Sequence, residues 1–420
     1  MVPSGHGHNC PPGPRGHGLG RGGISLLLGA AIIGLAGWPS LSLYHGQAAG
    51  AGQAEWSGVL YRPSDTSQFA GYPRVIRLAH GGQANGTLIA IFDVFVENTD
   101  RLLIYRSTDD GRTWSHISTL TDTDYAGRMC CPTLFELPRT LGDQAAGTLL
   151  LAESAGAAGT VGHEIKVFRS TDQGESWTYL SSCARGPGGL WEPYFSIDSS
   201  GRLVCFFADE GRAEYSQYLG HVVSTDGGET WSDVHVDVAV REGALRPGMA
   251  TVVRLPSGRY VMSFEVCRLP NCEVHVKSSA DGVDWGDPAD LGERVQTSDG
   301  LYAGHTPYLA WTPEGGPQGT LLLSSQDVFG PDGLVAPESR RVLFVNRQGG
   351  TGPWSLVAAP VSVPQGGPDC ANYSSPLLTE PADQGVLMLA AVGLGGGGCE
   401  IRYGRTPVEQ MGTPRATPQP

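Results

Sequence analysis

The chain has 420 residues, 61 of them glycine and 30 proline, with only 17% charged residues and a formal net charge of −14. That acidity excludes nucleic acid and anionic membrane as natural partners, since both need a basic face. The length exceeds one small core, but no long helical periodicity follows residue 50, so the chain is expected to be built from short strands and tight turns.

Residues 1–51 read as a leader. Arg15 and Arg21 precede an apolar run from Ile24 to Trp38 (ISLLLGAAIIGLAGW), and Ala49-Gly50-Ala51 follows. A charged start, a short apolar segment and an A-x-A site make a secretory signal, and the run is short for a membrane span. An uncleaved N-terminal anchor is the alternative. Both readings place the folded part in an oxidising compartment. Cys10 falls in the leader. The other eight cysteines, Cys130, Cys131, Cys183, Cys205, Cys267, Cys272, Cys370 and Cys399, are an even number, which suits disulfides. Cys267 with Cys272 would clip one loop, and Cys370 with Cys399 would tie the last repeat. Zinc is the competing use of cysteine, but no C-x-x-C with matching histidines occurs, and no metal or other cofactor is expected.

Two repeats follow along the chain. Ser107–Trp114 (STDDGRTW), Ser170–Trp177 (STDQGESW) and Ser224–Trp231 (STDGGETW) share the pattern S-x-D-x-G-x-[TS]-W, and Ser278–Trp285 (SSADGVDW) is a decayed fourth copy with Ala280 in the aspartate place and Asp281 one later. The pattern suits a hairpin turn: the aspartate accepts turn N–H groups, the glycine supplies a positive φ, and the tryptophan packs between layers. A turn glycine leading into an apolar strand occurs six times, at Gly86, Gly147, Gly201, Gly258, Gly319 and Gly385. Each unit then reads as a four-stranded meander, and blades five and six lack the aspartate turn. Six such units predict an all-β fold, a six-bladed β-propeller over residues 52–408, in which radial stacking protects strand edges. Gly58–Arg62 (GVLYR) would close the ring by pairing with the last blade, and residues 409–420 read as a disordered tail. The sequon Asn85-Gly86-Thr87 is a turn first and a glycan site only in a glycosylating host.

Meander geometry puts the aspartate turns on one face of the ring. On the other face stand the starts of the first strands, read as Arg74, Arg128, Glu192, Arg246, His305 and Tyr373. The ends of the second strands join them, read as Asp93, Ser154, Ala208, Glu265, Gln326 and Val392, with Asp209, Glu210 and Asp327 close by. Strand ends near a propeller axis converge, so Glu192 and Glu265, from neighbouring blades, would face each other. Paired carboxylates are what glycoside hydrolysis needs: one protonates the leaving oxygen, and the other attacks the anomeric carbon or activates water. Trp191 beside Glu192 offers an apolar wall that would raise one pKa above the other. The plainer reading is that such acids merely pair with Arg74, Arg128 or Arg246. Arg246 would orient a substrate group or bridge to Glu192. Tyr373 would bond a sugar or assist a nucleophile, or simply line the funnel wall. His305 and Tyr308 (HTPYLAW) would line the pocket, whereas His221 reads as packed.

The aspartate turns resemble those of the sialidase superfamily, which mark architecture more than activity. A narrower resemblance lies in LWEPYF, then ADE, then SQYLGHVVSTDGGETW, then RPGMATVVRLPSGRYVMSFEV. That order is similar to glycoside hydrolase family 93, exo-acting α-L-1,5-arabinanases that release arabinobiose, over about Tyr72 to Tyr403. The resemblance implies a six-bladed propeller, retention of anomeric configuration and two catalytic glutamates. Carried over residue by residue, these are Glu265 as nucleophile and Glu192 as acid/base. Arg74, Asp93, Arg128, Trp191, Asp209, Arg246, His305, Tyr308 and Tyr373 are then the expected substrate-binding residues of a secreted, monomeric enzyme acting on an oligo- or polysaccharide. Exo-sialidases also look similar: Arg74, in YPRVIRL, stands where their first arginine would, Tyr373 and Glu265 for their tyrosine nucleophile and its partner, and Arg402 for a third arginine. Their R-I-P signature is broken here, however, and they leave the WEP acid unexplained. A sugar-binding propeller without catalysis is the third reading.

Overall fold

Each of the six glycine-led repeats forms an antiparallel sheet in which sequential strands pair. The structure, a computed structural model, describes residues 54–96, 99–122, 124, 128–156, 162–241, 245–380, 385–408 and 411. The predicted leader (1–51) and the tail from residue 409, Met411 apart, lie outside them. Strand β1 (Trp56–Tyr61) precedes blade one, which is β2 (Phe69–Arg77), β3 (Leu88–Val96), β4 (Thr99–Ser107) and β5 (Ser115–Leu120). Blade two is β6 (Met129–Glu136), β7 (Leu149–Ala155), β8 (His163–Ser170) and β9 (Thr178–Gly186). Blade three is β10 (Leu190–Ile197), β11 (Leu203–Asp209), β12 (Tyr218–Ser224) and β13 (His235–Val238). Blade four holds β14 (Arg246–Arg254), β15 (Tyr260–Cys267), β16 (Glu273–Ser279) and the short β17 (Glu293–Arg294).

Blade five departs from the plan. Above its inner strands, β18 (Tyr302–Gly304) peels away from β19 (Tyr308–Thr312), and β21 (Asp327–Phe329) from β20 (Thr320–Ser324). The pair β18–β21 extends blade four through Glu273 opposite Gly304, while β22 (Val342–Asn346) and β23 (Ser355–Ala358) complete blade five. Blades four and five are therefore stitched together. Blade six is β24 (Leu377–Glu380), β25 (Gly385–Gly393) and β26 (Cys399–Pro407), and β1 adds its outer strand, with Val59 opposite Arg402. The ring closes where GVLYR predicted it.

The aspartate turns fold as their chemistry requires. Ser107 Oγ donates to Asp109 at 2.8 Å and accepts from the Gly111 N–H at 2.9 Å, and the Thr113 N–H donates to Asp109 at 2.9 Å. The same set recurs around Asp172 and Asp226. In the fourth copy Asp281, bonded to Ser279 at 3.0 Å, takes over the displaced aspartate's place. In blade five Asn346 accepts from Gln348 and Gly350, an amide substitute for the lost aspartate. The core is divided among hydrophobic clusters packed between blades, such as Leu150, Ile165, Phe195, Leu203 and Phe207 between blades two and three. Both predicted disulfides are present, Cys267–Cys272 and Cys370–Cys399, with a third, Cys183–Cys205, joining blades two and three. Among the described residues no helix is long and apolar enough to cross a membrane.

Candidate active site

The hub is shaped by a defect repeated in every blade. In blades one to four the innermost strand carries one extra residue against its neighbour, with register shifts between Gly71 and Arg74, Cys130 and Thr133, Trp191 and Tyr194, and Gly248 and Thr251. The extra residue sits in the left-handed region: φ is 50° at Tyr72, 60° at Cys131, 61° at Glu192 and 58° at Met249. Thr306 (45°) and Ser374 (53°) occupy the same place in blades five and six. Non-glycine residues rarely adopt this conformation, and a bulge leaves the extra residue outside the ladder. Proline follows it in four blades, at Pro73, Pro132, Pro193 and Pro307, where a missing N–H does no harm.

Five of these six bulge N–H groups are taken up by the preceding blade. Cys131 N donates to Asp93 Oδ2 (3.0 Å), Glu192 N to Ser154 Oγ (3.1 Å), Met249 N to Glu192 Oε2 (2.8 Å), Thr306 N to Glu265 Oε2 (2.6 Å), and Ser374 N to Thr306 Oγ1 (3.0 Å). The acceptors Asp93, Ser154 and Glu265 come from second strands, opposite Gly71, Cys130 and Gly248, as the sequence register expects. In blade three that place is Ala208, which has no acceptor, and Glu192 itself fills the gap. Both glutamates are thus pinned by one oxygen in a ring of inter-blade bonds.

This geometry corrects the sequence-based register of the first strands. Arg74, Arg128, Glu192, Arg246, His305 and Tyr373 do not form one layer. Glu192 is level with Tyr72, Cys131, Met249, Thr306 and Ser374, because the bulge shifts each strand by an amount that a periodic pattern does not reveal. Arg128 and Arg246 lie further up the strands, and Arg74 lies deeper.

Glu192 and Glu265 do come together. Both are buried, at 6% and 2% exposure. A Cβ on Gly248 would lie 3.1 Å from Glu192 Oε2 and 4.0 Å from Glu265 Oε1, which puts the two carboxylates within about 7 Å of each other. Gly248 keeps the gap between them clear, and Gln217 Nε2, 2.8 Å from the same point, closes it on one side while donating to Pro247 O. Burial pushes the Glu192 carboxyl up to about 8, and the charge of Glu265 adds to the rise; the Met249 N–H, Arg246 and Arg74 oppose it. Glu192 therefore holds its proton to about pH 8.

The remaining predicted residues divide by what they hold. Trp191 is buried and packs on His163, with ring centroids 5.7 Å apart. Tyr373 faces Tyr72 at 6.1 Å; its hydroxyl pKa is driven well above the ordinary value by burial and then by Glu192 and Glu265. Arg246, read as free to orient substrate or to bridge to Glu192, instead pairs with Glu210 and bonds Gln217 at 2.7 Å. Asp209 accepts from Tyr218 and from the Gly211 N–H. Arg128 lies 3.4 Å from Asp100 and over the Phe95 ring. Arg74 donates to Pro73 O and Ser374 O and stacks on Tyr72 and Tyr308. His305, also left-handed at 60°, bonds Cys272 O through its N–H. Its ring and the sulfurs of Cys267 and Cys272 lie within 4.8 Å of one another, but the disulfide consumes the thiolates that zinc would need. His221 is fully buried against Asp237 at 2.8 Å, a packed histidine as read. Sequence reasoning passed over Tyr72, Gln217, Gly248, Met249 and Thr306. The recurring x-Pro at the bulge was the signal that pointed to this layer.

A family model described as a BNR repeat-like domain matches residues 73–298. The fold is similar to the GH93 α-L-arabinofuranosidase of Fusarium graminearum in complex with arabinobiose, at 26% identity and a TM-score of 0.69 over 84% of this chain and 95% of that one. It is also similar to the α-L-arabinanase of Penicillium chrysogenum complexed with arabinobiose, at 26% identity and a TM-score of 0.70 over 85% and 99% of the two chains. A Hadza microbial sialidase shares the fold at 16% identity and a TM-score of 0.52, over 81% of this chain and 66% of that one. A search of curated protein sequences found no match.

Proposed function

The chain belongs to the family of BNR repeat-like domains, and from that membership and its paired hub carboxylates we propose an exo-acting, retaining glycoside hydrolase that releases arabinobiose from α-1,5-linked arabinan. The observation that carries this reading is the convergence of Glu192 and Glu265 on Gly248, with one of the pair protonated at neutral pH. A separation within about 7 Å leaves out most of the range used by inverting enzymes and includes the shorter retaining range. That the similar solved enzymes are an arabinofuranosidase and an arabinanase supports arabinan as the substrate.

In this mechanism Glu265 attacks the anomeric carbon as Glu192 passes its proton to the departing glycosidic oxygen. A glycosyl ester on Glu265 results. Glu192, now a carboxylate, takes a proton from water, whose oxygen displaces Glu265 and restores both groups. Burial suits Glu192 to the first step, because its proton is held to about pH 8, and the bond from Thr306 N keeps Glu265 Oε2 in place. We assign Trp191, Tyr373, His305 and Arg128 to the walls that receive sugar; Tyr308, expected there, lies instead below the bulge layer beside Arg74. Asp93, Asp209, Arg246 and Arg74 position the hub through the bonds described above. Export is supported by three disulfides, which suit an oxidising compartment, and a monomer remains the expected state.

Linear arabinan should yield arabinobiose, with the β- or α-anomer of the first product read by NMR to decide retention. Glu192→Gln and Glu265→Gln should each lower kcat by several orders of magnitude with unchanged circular dichroism. Near-full activity of either variant would reject its role. Turnover of a sialyl fluorogenic substrate in place of arabinan would move the assignment to a sialidase. Binding of arabinan without turnover would leave a sugar-binding propeller.

A further inference from the structure

The hub has a second mouth. Below the bulge layer, on the face of the aspartate turns, the inner strands of five blades enclose a cavity of about 420 Å³. Arg74, Thr133, Tyr194, Ser196, Arg254 and Tyr308 are among the residues that line it. Tyr194 and Tyr308 meet edge to face at 6.4 Å in its wall.

The charge of this cavity is unlike that of the chain around it. The protein carries a formal charge of −14, yet the lining contains two arginines and no carboxylate. Arg74 is 4% exposed, donates only to the carbonyls of Pro73 and Ser374, and leaves Nε without a partner. Its guanidinium sits between the ring faces of Tyr72, 4.1 Å away, and Tyr308, 5.3 Å away. Arg254 is exposed and rests over Tyr260 at 5.5 Å. Among the described residues neither arginine has a salt-bridge partner. The carboxyl on which Arg74 is shown to act is Glu192, across the bulge layer; the cavity itself offers no counter-charge, and a buried cation short of one is costly. Guanidinium groups match carboxylates in planar geometry, and aromatic walls favour a flat ring.

We propose that the far mouth of the hub binds a small ring-bearing carboxylate, whose anion lies against Arg254 and Arg74 and whose ring packs on Tyr194 and Tyr308. The site does not rest on the hydrolytic reading: it opens on the opposite face of the propeller, and Arg74, whose charge also reaches Glu192, is a group the two have in common.

Isothermal titration of the full chain with benzoate tests it, with benzamide as the neutral isostere and glucuronate as the sugar acid. One benzoate should bind per chain with millimolar or better affinity, benzamide should bind at least about tenfold more weakly, and saturating arabinobiose should leave the titration unchanged. Arg254→Gln should weaken benzoate by about tenfold or more while hydrolysis of arabinan stays at the wild-type rate. A tighter fit for glucuronate than for benzoate would identify sugar acids as the source of the carboxylate, and the reverse order aromatic acids. Absence of binding at millimolar benzoate, equal binding of benzamide, indifference to Arg254→Gln, or displacement by arabinobiose would each overturn the proposal.

Discussion

Glu192 keeps its proton because its surroundings are dry and because a second carboxylate lies within reach, and the pH response follows from that. Its pKa is raised from 4.5 to about 8. As an acid it is competent below about pH 8 and loses its proton as pH rises through that value. The kcat/KM profile should therefore fall on an alkaline limb near pH 8, measured on linear arabinan. The sign for stability runs the same way. A carboxyl whose pKa is higher in the folded state contributes stability that is fully present below 4.5 and lost as pH rises through about 8. Glu192→Gln should accordingly melt higher than the wild type above pH 8, with the gap closing toward pH 4.5. Gly248 offers a complementary test of space. Its Cβ would stand 2.8 Å from Gln217 Nε2 and 3.1 Å from Glu192 Oε2, so Gly248→Ala forces the acid or the glutamine to move. Displacements of this kind cost about a hundredfold in rate, and kcat should fall by that order with little change in Tm.

Each aspartate turn is a small set of bonds whose strength depends on charge. For Asp109 the Thr113 hydroxyl is the largest cause of a lowered pKa. For Asp172, Asp226 and Asp281 burial pushes upward, but the turn hydroxyls and N–H groups outweigh it and the pKa falls below 3.8. Groups depressed in the folded state contribute stability that is present above the unfolded value and lost as pH falls through the folded one. Asp226→Ala removes bonds from Ser224, Glu229, Thr230 N and the Thr230 hydroxyl. It should cost about 1–3 kcal/mol at pH 7, seen as a lower denaturation midpoint, and the difference should shrink as pH falls below 3.8 toward the acid limit. The fourth turn shows how such an element tolerates sequence drift: Asp281, one residue late, makes the same bond to the neighbouring serine at 279. The bulges are the opposite kind of element. Their left-handed residues differ in every blade, and what five of the six share is a backbone N–H offered to the blade before.

At the scale of the molecule, stability depends on closing the ring. Blade six borrows its outer strand from β1, and Cys370–Cys399 ties the segment before β24 to the start of β26, 29 residues on. Loop-closure entropy gives such a link about 3–4 kcal/mol. The double variant Cys370→Ala/Cys399→Ala should therefore melt several degrees lower, with the strands of blade six exchanging amide hydrogens faster than those of blade three. Equal protection of the two blades would show that the ring does not open at its seam. The pairing of β18 and β21 with blade four serves the neighbouring junction, beside Glu265 and Thr306.

Alternation of apolar and polar residues, turn glycines and the serine–aspartate–tryptophan turns determined the six sheets, their order and the closing strand, because each of those signals is local and recurs every 54–66 residues; the cysteine count and positions only suggested the two disulfides that the fold then formed. The second-strand register was readable for the same reason, and it put Glu265 at the right height. What only the tertiary structure decided was the first-strand register, the partners of Arg74, Asp209 and Arg246, and the charge of the far mouth. A one-residue bulge leaves no trace in a hydrophobic pattern, and an arginine chooses its carboxylate among groups that are distant in sequence and meet only once the ring has closed.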